Sequence, residues 1–197
     1  MENYVVTISR QFASFGRSIA QKLSLELNVE FYDRDIVEAT AKRMGQPIPV
    51  ISHEEENANS AFFRRKYPLG MEVANIQDEI FNVQANIIRD IAQRESCIIV
   101  GRCAGYVLRD HPRCLNVYVY SPYACRLRNC TEALQMDLKV AKKMIRDVDR
   151  ARENYRHRYC PDWKNAYDGY DIMIDSSRFG IEKSAKILAD IVRSEYL

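Results

Sequence analysis

YVVTISRQFASFGRSIAQKLSLEL, residues Tyr4 to Leu27, is the stretch on which the reading of this chain turns. The apolar, β-branched run from Tyr4 to Ile8 reads as a strand. A short turn follows, and from Arg17 the residues Ile19, Ala20, Leu23 and Leu27 mark one face of a helix. Strand, tight turn and helix in that order outline a loop that cradles phosphate. The usual form is G-x-x-x-x-G-K-[ST]. The matching octet here runs from Gln11 to Ser18, with Gly16 and Ser18 in register, arginine at 17 for the lysine and glutamine at 11 for the first glycine.

Backbone N–H groups in such a loop point into one concavity, and the positive end of the helix dipole adds to them. Ser14, Phe15, Gly16, Arg17, Ser18 and Ile19 are therefore the candidate phosphate-binding residues. Arginine offers a planar fork of donors and stays protonated, so Arg17 retains the charge a lysine would bring. Ser18 is placed for a phosphate oxygen or a magnesium-bound water. The same residues also suit an ordinary strand–turn–helix, and the loop alone does not separate the two readings.

Outward from this stretch, further apolar runs at 29–32, 97–101, 115–120 and 171–175 read as strands, and CIIVG as a central, buried one. Helical periodicity fills most of the gaps. Val73, Ile76, Ile80, Phe81, Ile87, Ile88 and Ile91 mark a long helix; Leu138, Ala141, Ile145, Val148 and Tyr155 another; Ile181, Ala185, Leu188 and Val192 a last one. Strands alternating with helices predict an α/β fold, a parallel sheet covered on both faces. Two regions break the rhythm. Residues 45–70 hold Gly45, Pro47, Pro49, the acidic Glu54–Glu56 and Pro68-Leu69-Gly70, an irregular excursion or flap. Residues 156–170 set Pro161, Trp163 and Gly169 among polar and aromatic neighbours.

The 197 residues suit a single domain. With 47% hydrophobic and 28% charged residues and a net charge of +2, nothing points to a membrane or a nucleic-acid partner. No run of apolar residues is long enough to span a bilayer. The first strand starts too early to leave room for a signal peptide. Six cysteines without a C-x-x-C pair suggest free thiols in a reducing, cytoplasmic setting.

Three more constellations carry chemistry. Gly101-Arg102 follows the CIIV strand, at the strand end where ligands bind in open α/β sheets; Arg102 equally reads as a turn cap. Between Lys139 and Arg158 stand eight Lys or Arg against three acidic residues. Arg146, Asp149, Arg150 and Arg152 share neighbouring turns there. An arginine-rich lid suits phosphoryl transfer, where charge spreads over the transferring oxygens. A solvated face of ion pairs is the plain alternative. No aromatic platform alternates with these charges, which argues against nucleic acid. In Phe31-Tyr32-Asp33-Arg34-Asp35, Asp33 suits an acceptor's sugar or base edge and Arg34 its phosphate; Asp33 also suits the N-cap of a helix running to Met44.

Taken in order, the arginine-bearing loop, FYDRD, IIVGRCAGYVL, the Asp149–Arg152 pair and YDIMIDSSRFGIEK resemble the cytidylate-kinase-like family, a branch of the P-loop nucleoside monophosphate kinases. The resemblance covers residues 4–190. It implies a three-layer sandwich around a five-stranded parallel sheet, with a monophosphate-binding insert at 45–92 and an Arg-rich lid at 146–170. It implies ATP with Mg2+ and transfer of the γ-phosphoryl group to CMP or dCMP. By motif, Ser14, Gly16, Arg17 and Ser18 would cradle the donor phosphates, and Asp33 and Arg102 would face the acceptor. Arg146 and Asp149 would grip the acceptor, and Arg152 would act at the transfer site. Relatives have a glycine-richer loop than Ala13 and Phe15 provide, an acidic residue where Gly105 stands and, in cytidylate kinases proper, an aspartate at Cys103. Small-molecule nucleotides are the expected partners of a monomer or homodimer. Two other functions fit the same residues: a non-catalytic nucleotide-binding regulator, and a kinase of another small metabolite.

Overall fold

Five strands pair in parallel in the order β2-β3-β1-β4-β5. They are β1 (Val5–Arg10), β2 (Glu30–Tyr32), β3 (Cys97–Val100), β4 (Cys114–Tyr120) and β5 (Ile172–Asp175). The computed structural model describes residues 2–45, 71–165 and 167–197, apart from the side chains of Arg34 and of residues 71–75. The reading of 46–70 as a flap lies outside the described residues.

Around the sheet stand α1 (Gly16–Leu27), α2 (Arg34–Met44), α3 (Met71–Arg94), α4 (Ala104–Val107), α5 (Tyr123–Arg128), α6 (Leu138–Tyr159) and α7 (Ser176–Tyr196). Strand side chains alternate between two faces, and each face has its own core. Val6, Ile8, Ile98, Val100, Val117 and Ile174 pack against Ile19 and Leu23 of α1 and Leu188 and Val192 of α7. Val5, Cys97 and Ile99 pack against Ile36 of α2, Ile87, Ile88 and Ile91 of α3, and Val107 of α4. All four residues of β3 are fully buried, which is why CIIV carries no polar residue. Each fully buried Ile or Leu contributes on the order of 2 kcal/mol. The result is the predicted three-layer α/β arrangement.

Two short helical pieces had no periodicity to announce them. One is α4. The other is α5 with the π-helical turn Asn129–Ala133 that continues it. Asp137 caps α6 by accepting from the N–H groups of Lys139 at 2.8 Å and Val140 at 3.2 Å. This capping fixes where the basic helix begins.

The chain leaves β1 for α1 on one face and β3 for α4 on the other. Adjacent strands whose connections part in this way open a crevice at their C-terminal ends. Among the described residues, no helix is long and apolar enough to cross a membrane, and no group of three or more His, Cys, Asp or Glu could hold a metal ion.

Candidate functional site

The loop from Gln11 to Phe15 is held from behind. Gln11 donates its N–H to the Val119 carbonyl at 3.0 Å, and its Oε1 accepts from the Ser121 N–H at 3.0 Å. The residue that replaces the motif's first glycine therefore ties the loop to the end of β4. Ser14 is fully buried and donates its hydroxyl to the carbonyls of Gln11 at 2.9 Å and Val119 at 3.2 Å. Its side chain thus faces the sheet. Asn129, carried by the π turn, donates to the Ala13 carbonyl at 2.8 Å.

Asp149 reaches the loop from α6. Its Oδ1 accepts from the Phe12 N–H at 2.7 Å, and its Oδ2 pairs with Arg126. Arg126 is buried and also donates to the Phe12 carbonyl at 3.3 Å. One turn on, Arg152 donates to the Arg10 carbonyl at 3.0 Å. Asp149 and Arg152 therefore both meet the loop, as their spacing on one helix face suggests. Arg146 does not join them: it is exposed and pairs with Asp147 at 2.9 Å. Most of the other arginines of the basic stretch serve the protein itself. Arg156 grips Glu153 and the carbonyls of Trp163 and Asn165. Arg158 holds Asp78 at 2.8 Å, and Tyr159 stacks on Phe81 with ring centroids 4.1 Å apart. The segment predicted as a lid is thus packed against α3 of the predicted insert.

In front of the loop the charges are unequal. Asp33 occupies the N-cap position of α2, but its side chain makes no capping bond. It accepts instead from Arg17 Nε at 2.6 Å, and Arg10 Nη2 lies 3.9 Å from its other oxygen. Arg10 closes β1. Burial and the neighbouring guanidiniums of Arg152, Arg102 and Arg17 pull its pKa down to about 9, with Asp33 alone pulling the other way. Arg10, at the mouth of the β1–β3 crevice, thus has one carboxylate and the guanidiniums of three other segments as its charged neighbours.

The backbone is strained here as well. Gly101, Arg102 and Cys103 follow one another in the left-handed region, at φ 77°, 58° and 51°. Two of the three carry side chains, at a cost of order 1–3 kcal/mol each. Ala13 and Phe15 in the loop are also left-handed, both at φ 57°.

Arg17, Arg102, Arg152 and Asp33 are all charged neighbours of Arg10, and Asp149 supports the loop. Gly16, Ser18 and Ile19 lie in the first turn of α1, which opens onto the crevice. Arg34 begins α2 next to Asp33. Arg10, Arg126 and Asn129 escaped the sequence reading. Arg10 had a signal: it ends a strand at the same sheet edge that singled out Arg102. Arg126 and Asn129 had none. Position 105 also changes meaning. A Cβ there would collide with Asn116 Oδ1 and lie 3.1 Å from Thr7 Oγ1. A side chain at 105 would run into the sheet, away from Arg102, so glycine answers to packing rather than to a missing acid.

The residues suit a nucleoside triphosphate with its metal. The loop N–H groups and the arginines match a polyanion, and Ser18 suits a metal-bound water. With no acidic cluster among the described residues, Mg2+ fits as an ion arriving with the phosphates rather than a resident one.

A family model described as the cytidylate kinase-like family matches residues 5–178. Among solved structures, an uncharacterized protein from Eubacterium ventriosum is 23% identical with a TM-score of 0.73, over 98% of this chain and 100% of that one. Shikimate kinase from Bacteroides thetaiotaomicron is 13% identical with a TM-score of 0.58, over 96% and 98%. Shikimate kinase from Acinetobacter baumannii, solved in complex with shikimate, is 13% identical with a TM-score of 0.56, over 99% and 96%. Comparison with curated proteins finds no match. At these identities the likeness concerns the fold, which is that of the P-loop kinases.

Proposed function

The chain belongs to the cytidylate kinase-like family, and from that premise we propose that it transfers the γ-phosphoryl group of ATP to a nucleoside monophosphate, CMP or dCMP first. The observation that carries this reading is the gathering of Arg17, Arg102, Arg152 and Asp33 about Arg10, at the start of a phosphate-type loop.

In this reading the N–H groups of residues 15–18 and Arg17 hold the donor phosphates, since the N–H groups of Ser14 and Ile19 already bond the carbonyls of Gln11 and Phe15. Asp33 and Arg102 serve the acceptor side, and Arg34, next to Asp33 in the chain, is assigned to the acceptor phosphate from the sequence. Arg152, held on the Arg10 carbonyl, is assigned to the charge that builds on the transferring oxygens. Asp149 acts through the loop, fixing Phe12 so that the N–H groups keep their aim. Arg146 lies on the outer face of α6 and has the weakest case for acceptor contact. Mg2+ bound with the triphosphate supplies further neutralisation of the phosphate oxygens. An acceptor phosphate oxygen attacks the γ-phosphorus in line, the bond to the β–γ bridging oxygen breaks, and ADP leaves. The acceptor oxygen is already anionic, so no side chain has to remove a proton. Positioning and charge are the protein's contribution.

Likeness in fold to shikimate kinases supports a second reading, a kinase of another small hydroxylated metabolite. One assay addresses both. Coupled ADP release is followed over CMP, dCMP, UMP, AMP and a set of small hydroxy acids. Turnover with CMP or dCMP above the rest is expected. Turnover only with a hydroxy acid selects the second reading, and folded protein silent on every acceptor rejects both.

A further inference from the structure

The residue that distinguishes this loop lies one position before the octet. Arg10 crosses the first residue of α1: a Cβ at Gly16 would sit 2.6 Å from Arg10 Cβ and 3.1 Å from its Cγ. Farther out, Arg10 Nη1 lies where a Cβ at Gly101 would be. One side chain therefore requires both glycines that bracket the β1–β3 crevice to be bare.

The backbone suggests why. The left-handed positions of the loop are Ala13 and Phe15, whereas Gly16 is already helical. Glycine is the residue at ease in the left-handed region. Moving the motif back by one residue, to Arg10–Arg17, sets the left-handed Phe15 on its second glycine and Gly16 on its lysine. The side chain lost at 16 is then replaced by the one that grows from 10 and runs across it. Arg17, which the first register equated with the lysine, is turned elsewhere. Its Nε is bonded to Asp33, its guanidinium lies 5.9 Å from the Phe31 ring, and its side chain is 60% exposed. Arg10 is one-fifth exposed and 3.9 Å from Asp33, beyond hydrogen-bond reach.

We propose that Arg10 is the cation that grips the phosphate chain in this site, taking the place of the usual loop lysine from the end of β1, with a polyphosphate such as that of a nucleoside triphosphate as its ligand. The identity of the donor as a nucleotide rests on the function proposed above; the role of Arg10 toward polyphosphate does not. A guanidinium keeps its proton near neutrality. The crowding of Arg10 by Arg152, Arg102 and Arg17 therefore persists as positive charge that a bound anion relieves.

The test is calorimetric titration of the whole protein with inorganic tripolyphosphate and, separately, with a non-hydrolysable ATP analogue and Mg2+. Arg10→Gln is expected to lose about 30-fold in affinity for both, the range for a charge-assisted bond. Combining Arg10→Gly with Gly16→Lys rebuilds the ordinary loop and is expected to recover about tenfold of that loss. Folded Arg10→Gln that binds tripolyphosphate within about twofold of wild type overturns the proposal. If Arg10→Gln does not fold, phenylglyoxal modification of the wild type, mapped by peptide, decides. Tripolyphosphate at ten times its dissociation constant should slow modification of Arg10 about tenfold, and an unchanged rate overturns the proposal. Wild type that binds tripolyphosphate but not the ATP analogue removes the nucleotide reading and leaves Arg10 in place.

Discussion

Two carboxylates touch the neighbourhood of the phosphate loop, one on each side, and they differ in company. Behind the loop, Asp149 meets one N–H, from Phe12, and one guanidinium, from Arg126. In front, Asp33 faces Arg17 and Arg10, with Arg102 and Arg152 close behind them. The residue types are the same; the ratio of charges is not. A matched pair buried beside backbone is structure, because each partner answers the other's desolvation. In front, Arg10 is crowded by the guanidiniums of Arg152, Arg102 and Arg17, and that like-charge repulsion is what an anionic ligand can relieve. Behind the loop one charge answers one charge; in front, the crowding of Arg10 is what a ligand would relieve.

The largest effect expected from this contrast is on turnover. Arg152→Ala should lower kcat about a thousandfold, in the range for an arginine that stabilises the transferring phosphoryl group. The KM for ATP should stay within about threefold, since the loop N–H groups and the remaining arginines still hold the donor. Steady-state kinetics on the acceptor found by the ADP-release assay measures both. If kcat falls less than about tenfold while the melting temperature drops, Arg152 belongs with the rear of the loop and serves only the Arg10 carbonyl it binds.

Next in size is a stability effect. Asp149→Asn leaves Arg126, whose side chain is 9% exposed, without its counter-charge. A loss of about 3 kcal/mol follows for breaking such a pair, or about 6–12 °C in melting temperature for a chain of this size. Thermal unfolding followed by circular dichroism reads it. Adding Arg126→Met should restore at least about half of the loss, because removing both charges is far cheaper than stranding one. A double variant as unstable as the single one would show that the loss does not come from stranding the Arg126 charge.

How much of this was open to sequence reading follows from the range of each interaction. The strands of the sheet were legible because a buried parallel strand must be apolar over its whole length, as CIIV is. The helices α1, α3, α6 and α7 were legible because each keeps one apolar face for several turns. The helix α4 spans 4 residues and α5 spans 6, too few for a period to repeat. At the site, Arg17, Arg102 and the Asp149–Arg152 pair lie in local patterns that phosphate chemistry favours. Arg126 does not: its role depends on Asp149, 23 residues away, and on Phe12, 114 residues away. Arg10 was hidden for another reason. The motif's register rests on where the glycines stand in the sequence, and here the left-handed turns fall on Ala13 and Phe15 instead.

The smallest expected effect puts the same substitution on the other carboxylate. Asp33→Asn removes the carboxylate that Arg17 bonds and Arg10 approaches, so the protein without ligand should lose about 1 kcal/mol, the upper end for a partly exposed pair. Its response to an anion should grow in exchange. Wild type in inorganic pyrophosphate at ten times its dissociation constant gains about 1.4 kcal/mol by mass action. With Asp33 neutral, Arg17 and Arg10 are released to the ligand, pyrophosphate binds more tightly, and at the same concentration the gain should exceed that of wild type. Asp149→Asn, though far less stable at the outset, should show no increase over the wild-type gain, because its charge lies on the side of the loop that meets no ligand. Thermal shifts of the three proteins over one pyrophosphate series separate these outcomes. If Asp33→Asn gains no more than wild type, the front arginines are not held in check by Asp33, and its bond to Arg17 is a structural pair of the same kind as the one behind the loop.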